Sequence, residues 1–123
     1  MFTLAKERLY WWPIKPDVPS STKSGNWEQH SFEMQFKAIA QDRVDEIERQ
    51  LKDLPPDEQF KRKHEIILEV AVDWRQVVDE DKQPVPFSTD MLDNAMRAES
   101  WFRLAVYRDW TASLFKTEAR KGN

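Results

Sequence analysis

Seven prolines, in three groups, decide where this chain of 123 residues can be regular. Pro13, Pro16 and Pro19 lie near the start, Pro55-Pro56 near the middle, and Pro84 and Pro86 further on. Proline has no N–H to give to a sheet ladder, so the first group confines Arg8–Val18 to an edge strand or an extended arm. The second group stops one helix and opens the next, because proline breaks a helix interior yet suits its first turn. The third group forbids helix across Asp79–Phe87, which reads as a turn followed by an extended stretch.

Apolar spacing fills in the segments between. Tyr10, Trp12 and Ile14 fall on one side of a strand, with Leu9 and Trp11 on the other. After a polar loop at Ser20–Gly25, Phe32, Met34, Phe36 and Ala38 alternate with Ser31, Glu33, Gln35 and Lys37. That period of two predicts a β-hairpin with its loop near Gly25. A lone hairpin is marginal in water, so its apolar face must cover something. Helical spacing begins near Gln41, with Val44, Ile47, Leu51 and Leu54 on one face. In the second helix Phe60, His64, Ile67, Ala71, Trp74 and Val78 form a stripe, widened by Ile66, Val70 and Val77. The stripe predicts a helix running the length of the domain. Ser88 or Thr89 can cap a short third helix carrying Leu92, Ala95 and Met96. A fourth helix is expected around Ser100–Ala119. Its first half is apolar nearly all round, so it belongs either in the core or between subunits.

The expected fold is therefore α+β, mainly α, with an N-terminal β-hairpin packed on a bundle of about four helices. One domain is expected over 1–123: an extended arm and hairpin at 1–40, a helical part at 41–119, and a flexible tail at 120–123.

Composition removes whole classes of chemistry. Without cysteine the chain has no disulfide, no thiolate nucleophile and no cysteine-held zinc or iron–sulfur cluster. Gly25 and Gly122 are the only glycines and stand far apart, so there is no glycine-rich phosphate loop, dinucleotide fingerprint or nucleophile elbow. No apolar run follows Lys6, Glu7 and Arg8, and no window reaches the ~18 apolar residues of a membrane span. Neither a secretory signal nor membrane binding is expected. The net charge of -3 is uneven, with an acidic middle and a basic end, which argues against nucleic acid as a partner. The best basic run, Lys61-Arg62-Lys63, reads as a solvated helix face.

Candidate sites have plain readings too. Asp79-Glu80-Asp81 lacks the calcium-loop glycine and glutamate, for Pro84 and Asp90 stand at those places, so it reads as an acidic turn. His64-Glu65 begins the zinc-protease helix pattern, but Leu68 occupies the second histidine position. His64 is expected to be packed and hydrogen-bonded, and His30 has no partner in sequence. With 22 acidic residues, no carboxylate pair can be singled out as acid and base. No catalytic residue, metal ligand or cofactor is expected, and the protein is not expected to be an enzyme.

The six tryptophans are the positive feature. Trp74 is assigned to the core, and Trp27 stays unassigned. Trp11 and Trp12 are neighbours on a strand, so they point to opposite faces, and one must face out or be covered. Aromatic groups at an edge, or on an over-apolar helix, are typical anchors for protein contact. Tyr10, Trp11, Trp12, Trp101, Phe102, Tyr107 and Trp110 are the candidate partner or self-association residues.

Three blocks of the chain resemble the tail assembly chaperones of lambda-like long-tailed bacteriophages. The first is the opening MFTLAKERLYWWPIK, with Arg8, Tyr10, Trp11, Trp12 and Pro13. The second comprises Trp74, Val77, Val78, Asp79, Glu80, Asp81, Pro84, Val85, Pro86, Phe87 and Ser88. The third is the helix start at Trp101, Phe102, Arg103, Ala105 and Tyr107. They span almost the whole chain in the expected order. The second block departs in one respect, carrying Lys82-Gln83 where a glycine is expected in relatives. The resemblance implies a non-enzymatic protein of the host bacterial cytoplasm, absent from the mature virion. It implies that the protein coats the tape-measure protein, keeps it soluble, helps recruit tail-tube protein and forms a homo-oligomer. It also implies a longer form made by frameshifting near Arg120–Asn123. A structural virion component, such as a tail-completion or connector protein, is the alternative.

Overall fold

The alternation in the first forty residues becomes a long hairpin with two ladders. In the computed structural model, which describes residues 1–115, strands β1 (Leu9–Ile14) and β2 (Asp17–Pro19) run out. Strands β3 (Trp27–Gln29) and β4 (Phe32–Lys37) return, pairing β2 with β3 and β1 with β4, both antiparallel. Tyr10 lies opposite Phe36, Trp12 opposite Met34 and Ile14 opposite Phe32, which makes one apolar face. The connecting loop takes a left-handed turn at Gly25 (φ 82°), where a side chain would strain the backbone. The hairpin and its loop lie where the sequence predicts them.

Two helices follow, separated by the proline pair. Helix α1 (Gln41–Lys52) buries Val44 and Ile47. Helix α2 (Pro56–Val70) starts on the second proline, whose missing N–H costs nothing in a first turn. Gln59 of α2 donates from Nε2 to the carbonyls of Leu51 (2.7 Å) and Leu54 (3.0 Å), so the second helix caps the end of the first.

The second helix is shorter than the stripe predicts. It ends at Val70, and Ala71–Arg75 forms strand β5, antiparallel to β4 with Met34 opposite Trp74 and Glu33 opposite Arg75. Residues Ala71, Trp74 and Val78 are thus not helical. A hairpin leaves both outer edges of its strands bare, and β5 supplies the second edge of β4 with partners. Ala71 and Trp74 are buried as strand residues, with a register shift at Gln35/Phe36 bringing Phe36 opposite Ala71. The sheet order is β1-β4-β5, so β1 is indeed an edge strand. With this extra strand the chain is mixed α and β, and "mainly α" describes it only loosely.

Beyond β5 the backbone turns at Gln76 (φ 68°), and Val78 bridges to Pro84. The acidic turn between them is held by Asp79, whose Oδ1 accepts from the N–H groups of Asp81 (2.8 Å) and Gln83 (3.0 Å). Lys82 takes the left-handed conformation (φ 63°), at the place where the resemblance leads one to expect glycine. Trp74 ties this arm down: its Nε1 donates to the Val85 carbonyl at 2.7 Å, and its ring meets Phe87 edge-on at 5.3 Å.

Ser88 caps helix α3 (Thr89–Ala98) by accepting from the Met91 N–H at 3.0 Å. Helix α4 (Ser100–Leu114) follows. The expected continuation to Ala119, the tail at 120–123 and the frameshift position lie outside the described residues. Helix α4 lies across the apolar face of the hairpin and answers its need for a cover. Phe102 stacks on Phe32 at 5.4 Å, and Ala105, Val106 and Trp110 are buried with Ile14, Met34, Phe36, Ile66, Ile67, Leu92 and Met96.

Candidate functional site

The seven candidate contact residues separate into inward and outward groups. Tyr10 and Trp12 point to the core side of β1 and are half-buried. The Tyr10 hydroxyl lies 2.7 Å from Ser113 Oγ, and burial raises its pKa against the lowering effect of that hydrogen bond. Trp11 points to the other face of the sheet, as adjacency requires, but it is not bare. The Arg75 guanidinium lies 4.1 Å from its ring centroid, itself held by Glu33 at 2.6 Å. The chain thus covers its own outward tryptophan.

Trp110 is 1% exposed and wholly enclosed, so it offers nothing to a partner in this folded chain. Its Nε1 is buried, and no described residue accepts from it. Phe102 is held between Phe32 and Trp74. Trp101, 39% exposed, faces outward, and Leu104 one turn later is 52% exposed. This explains why α4 is apolar almost all round: one side packs on the sheet while Trp101 and Leu104 look out.

Trp101 lies on a separate hollow, whereas Leu104 borders a cleft of about 220 Å³ between α2 and α4. Phe60, Lys63, His64 and Ile67 line it from α2, spaced as one helical stripe. Arg103, Leu104, Tyr107 and Arg108 line it from α4. Phe60 was expected in the core with its stripe. It is 44% exposed instead, because α2 packs through Ile66, Ile67 and Val70 and turns Phe60 to the cleft mouth.

Two cations stand on the aromatic walls. Lys63 Nζ is 5.0 Å from the Tyr107 centroid and 5.9 Å from that of Phe60, and the Arg103 guanidinium is 5.0 Å from Phe60. Neither makes an ion pair with a described residue. Of the other described arginines, Arg43, Arg62, Arg75, Arg97 and Arg108 each pair with a carboxylate, whereas Arg8 and Arg49 do not. The Arg103 Nε is also buried with no described acceptor. The run at 61–63 is therefore not one basic face: Lys63 turns into the cleft, while Arg62 turns to Glu65.

One wall is braced from behind. His64 Nε2 lies 2.5 Å from Asp93 Oδ1, the same oxygen that accepts from Arg97 Nε at 3.0 Å, which ties α2 to α3. The His64 hydrogen bond, with help from Arg97, holds the Asp93 carboxyl below its ordinary pKa. His64 is packed and hydrogen-bonded, as its place on the stripe suggests. His30 has Glu28 at 3.8 Å.

A second, shallower hollow of about 460 Å³ lies between the hairpin and the start of α4, with Trp101 and Phe32 among its walls. Among the described residues, no group of three or more His, Cys, Asp or Glu is placed to hold a metal ion, and no helix is long and apolar enough to cross a membrane. Phe60, Lys63, Arg103 and Leu104 are the site residues that the sequence reading left out. Leu104 carried a signal, since it falls three residues after Trp101. The meeting of Arg103 with Phe60 carried none. The chain matches no known protein family, and neither the curated proteins nor the solved structures yield a significant match.

Proposed function

We propose that this protein is a non-enzymatic assembly chaperone for the tail of a long-tailed bacteriophage. In this reading it binds the tape-measure protein, keeps it soluble in the host cytoplasm and helps recruit tail-tube subunits, without entering the mature virion. The supporting observation is the outward display of Phe60, Trp101 and Leu104 on two helices whose other faces are packed. An assembly chaperone needs apolar anchors that stay accessible without collapsing into its own core. It also needs charge to remain dissolved while they are free, and 33% of the residues here are charged. The action is stoichiometric: contacts mask the client and are later displaced by the subunits that assemble on it. Self-association into a homo-oligomer belongs to the same proposal, through Trp101 at the start of α4, the free edge of β1, or both.

Co-expression with the tape-measure protein of the same phage tests this directly. The expected result is a soluble complex that Trp101→Ala combined with Leu104→Glu disrupts while leaving the fold intact. A client that stays insoluble in its presence overturns the proposal. So does recovery of this protein from purified particles, which would point to a tail-completion or connector role.

A further inference from the structure

We infer that the α2–α4 cleft receives an amphipathic helix of a partner protein whose apolar stripe is flanked by aspartate or glutamate. The inference rests on the reading of this surface as a docking site and specifies the chemistry of what docks.

Size comes first. A cleft of about 220 Å³ is smaller than the roughly 300–1,000 Å³ of sites that enclose whole small molecules. It suits a few apolar side chains delivered by a larger partner. Shape comes next. The walls are two helical stripes, so a third helix can lay its own ridge between them, whereas no free strand edge is present there for an extended peptide.

Charge then selects the partner. Lys63 and Arg103 lie on ring faces at the apolar wall and have no carboxylate among the described residues. Partly desolvated cations of this kind attract carboxylates more strongly than fully hydrated ones do. A helix with leucine or phenylalanine in the cleft and glutamate on its flanks meets all of these groups at once.

A second copy of this chain is a poor source of such a helix. Its two most acidic helices, α1 and α2, carry four carboxylates each and have their apolar faces already buried through Val44, Ile47, Ile66, Ile67 and Val70. Its acidic turn spends Asp79 on its own backbone. A phosphate backbone fits no better, for two cations beside an apolar wall are not an extended basic track.

The test uses a labelled synthetic peptide of about 18 residues, some five helical turns. It carries leucine at the apolar positions and glutamate beside them; a twin carries lysine in place of glutamate. Fluorescence anisotropy with the full chain is expected to give the acidic peptide about a tenfold tighter Kd than its twin, an advantage that shrinks as salt rises. The pair Lys63→Glu and Arg103→Glu is expected to reverse the preference. Leu104→Ser is expected to weaken both peptides, with thermal melts verifying the fold of each variant. Equal binding of the two peptides, or a preference that survives charge reversal, overturns the inference. So does sedimentation showing that these substitutions dissolve a self-assembly that occupies the cleft. Loss of peptide selectivity with the client still kept soluble removes the acidic-helix inference alone. Selective peptide binding with no effect on the client removes the chaperone reading alone.

Discussion

Two buried tryptophans should respond unequally to the same substitution. Trp74 and Trp110 are 6% and 1% exposed. Changing either to phenylalanine keeps an aromatic ring but removes three ring atoms, a packing loss of about 1–2 kcal/mol. At Trp74 the change also removes the bond from Nε1 to the Val85 carbonyl. That adds about 1 kcal/mol, for a total of about 2–3 kcal/mol. At Trp110 no such bond is lost, because the Nε1–H has no described acceptor. Removing an unsatisfied buried donor returns about 1–3 kcal/mol, which offsets the packing loss. The expected change for Trp110→Phe is therefore close to zero, within about 1 kcal/mol. At about 4 °C per kcal/mol for a chain of this size, the two variants should melt roughly 4–16 °C apart. Urea unfolding followed by far-ultraviolet circular dichroism gives the free energies directly and does not depend on tryptophan emission. Equal destabilisation of the two variants would refute the reasoning, since it would mean that the Trp110 N–H is satisfied.

Three further expectations are cheaper to check. Trp12→Ala should cost about 2 kcal/mol more than Trp11→Ala in the same unfolding assay, because Trp12 packs on the core while Trp11 loses chiefly its stacking with Arg75. Lys82→Gly should stabilise by about 0.5–1 kcal/mol, read as a higher melting temperature, since it relieves a left-handed backbone at an exposed turn. Asp93 has a folded pKa below its ordinary value, so its contribution is present above about pH 4 and lost as pH falls through the lowered folded pKa. Urea midpoints measured against pH should show a shallower acid decline in Asp93→Asn than in the parent chain.

How much of this was legible depended on whether a signal was local. Proline has only local consequences, so the break at Pro55-Pro56 and the opening of α2 there could be read, although α1 already ends at Lys52 and leaves Leu54, expected on its face, beyond the helix. Alternation over Phe32–Lys37 and the loop at Gly25 gave the hairpin for the same reason. Strand β5 was hidden because Ala71 and Trp74 satisfy a helical stripe and a strand face equally well. What decided between them was the bare edge of β4, some forty residues earlier in the chain. The candidate surface shows the same division. Excess apolar residues on α4 marked that helix as doubly occupied, and Trp101 was recognisable from it. Which ring would lie inside could not be read, because Trp110 and Trp101 differ only in the face they turn to the sheet. Arg103 over Phe60 is a tertiary encounter with no trace in spacing.

The early strand and the late helix depend on each other, and this has a consequence for synthesis. The Tyr10 hydroxyl meets Ser113 across 103 residues of chain, and the backbone at Lys15 is gripped from both sides by α4. There its N–H donates to Asp109 at 2.8 Å, and its carbonyl accepts from Arg108 at 2.7 Å. A ribosome adding about 5–20 residues per second takes about 5–20 s to cover that separation. During that interval the hairpin can form, but its apolar face has nothing to lie on. Helix α4 supplies that cover as it emerges. Premature termination before α4 would leave a strand pair with an uncovered greasy face, a substrate for holdases and proteases rather than a smaller working protein.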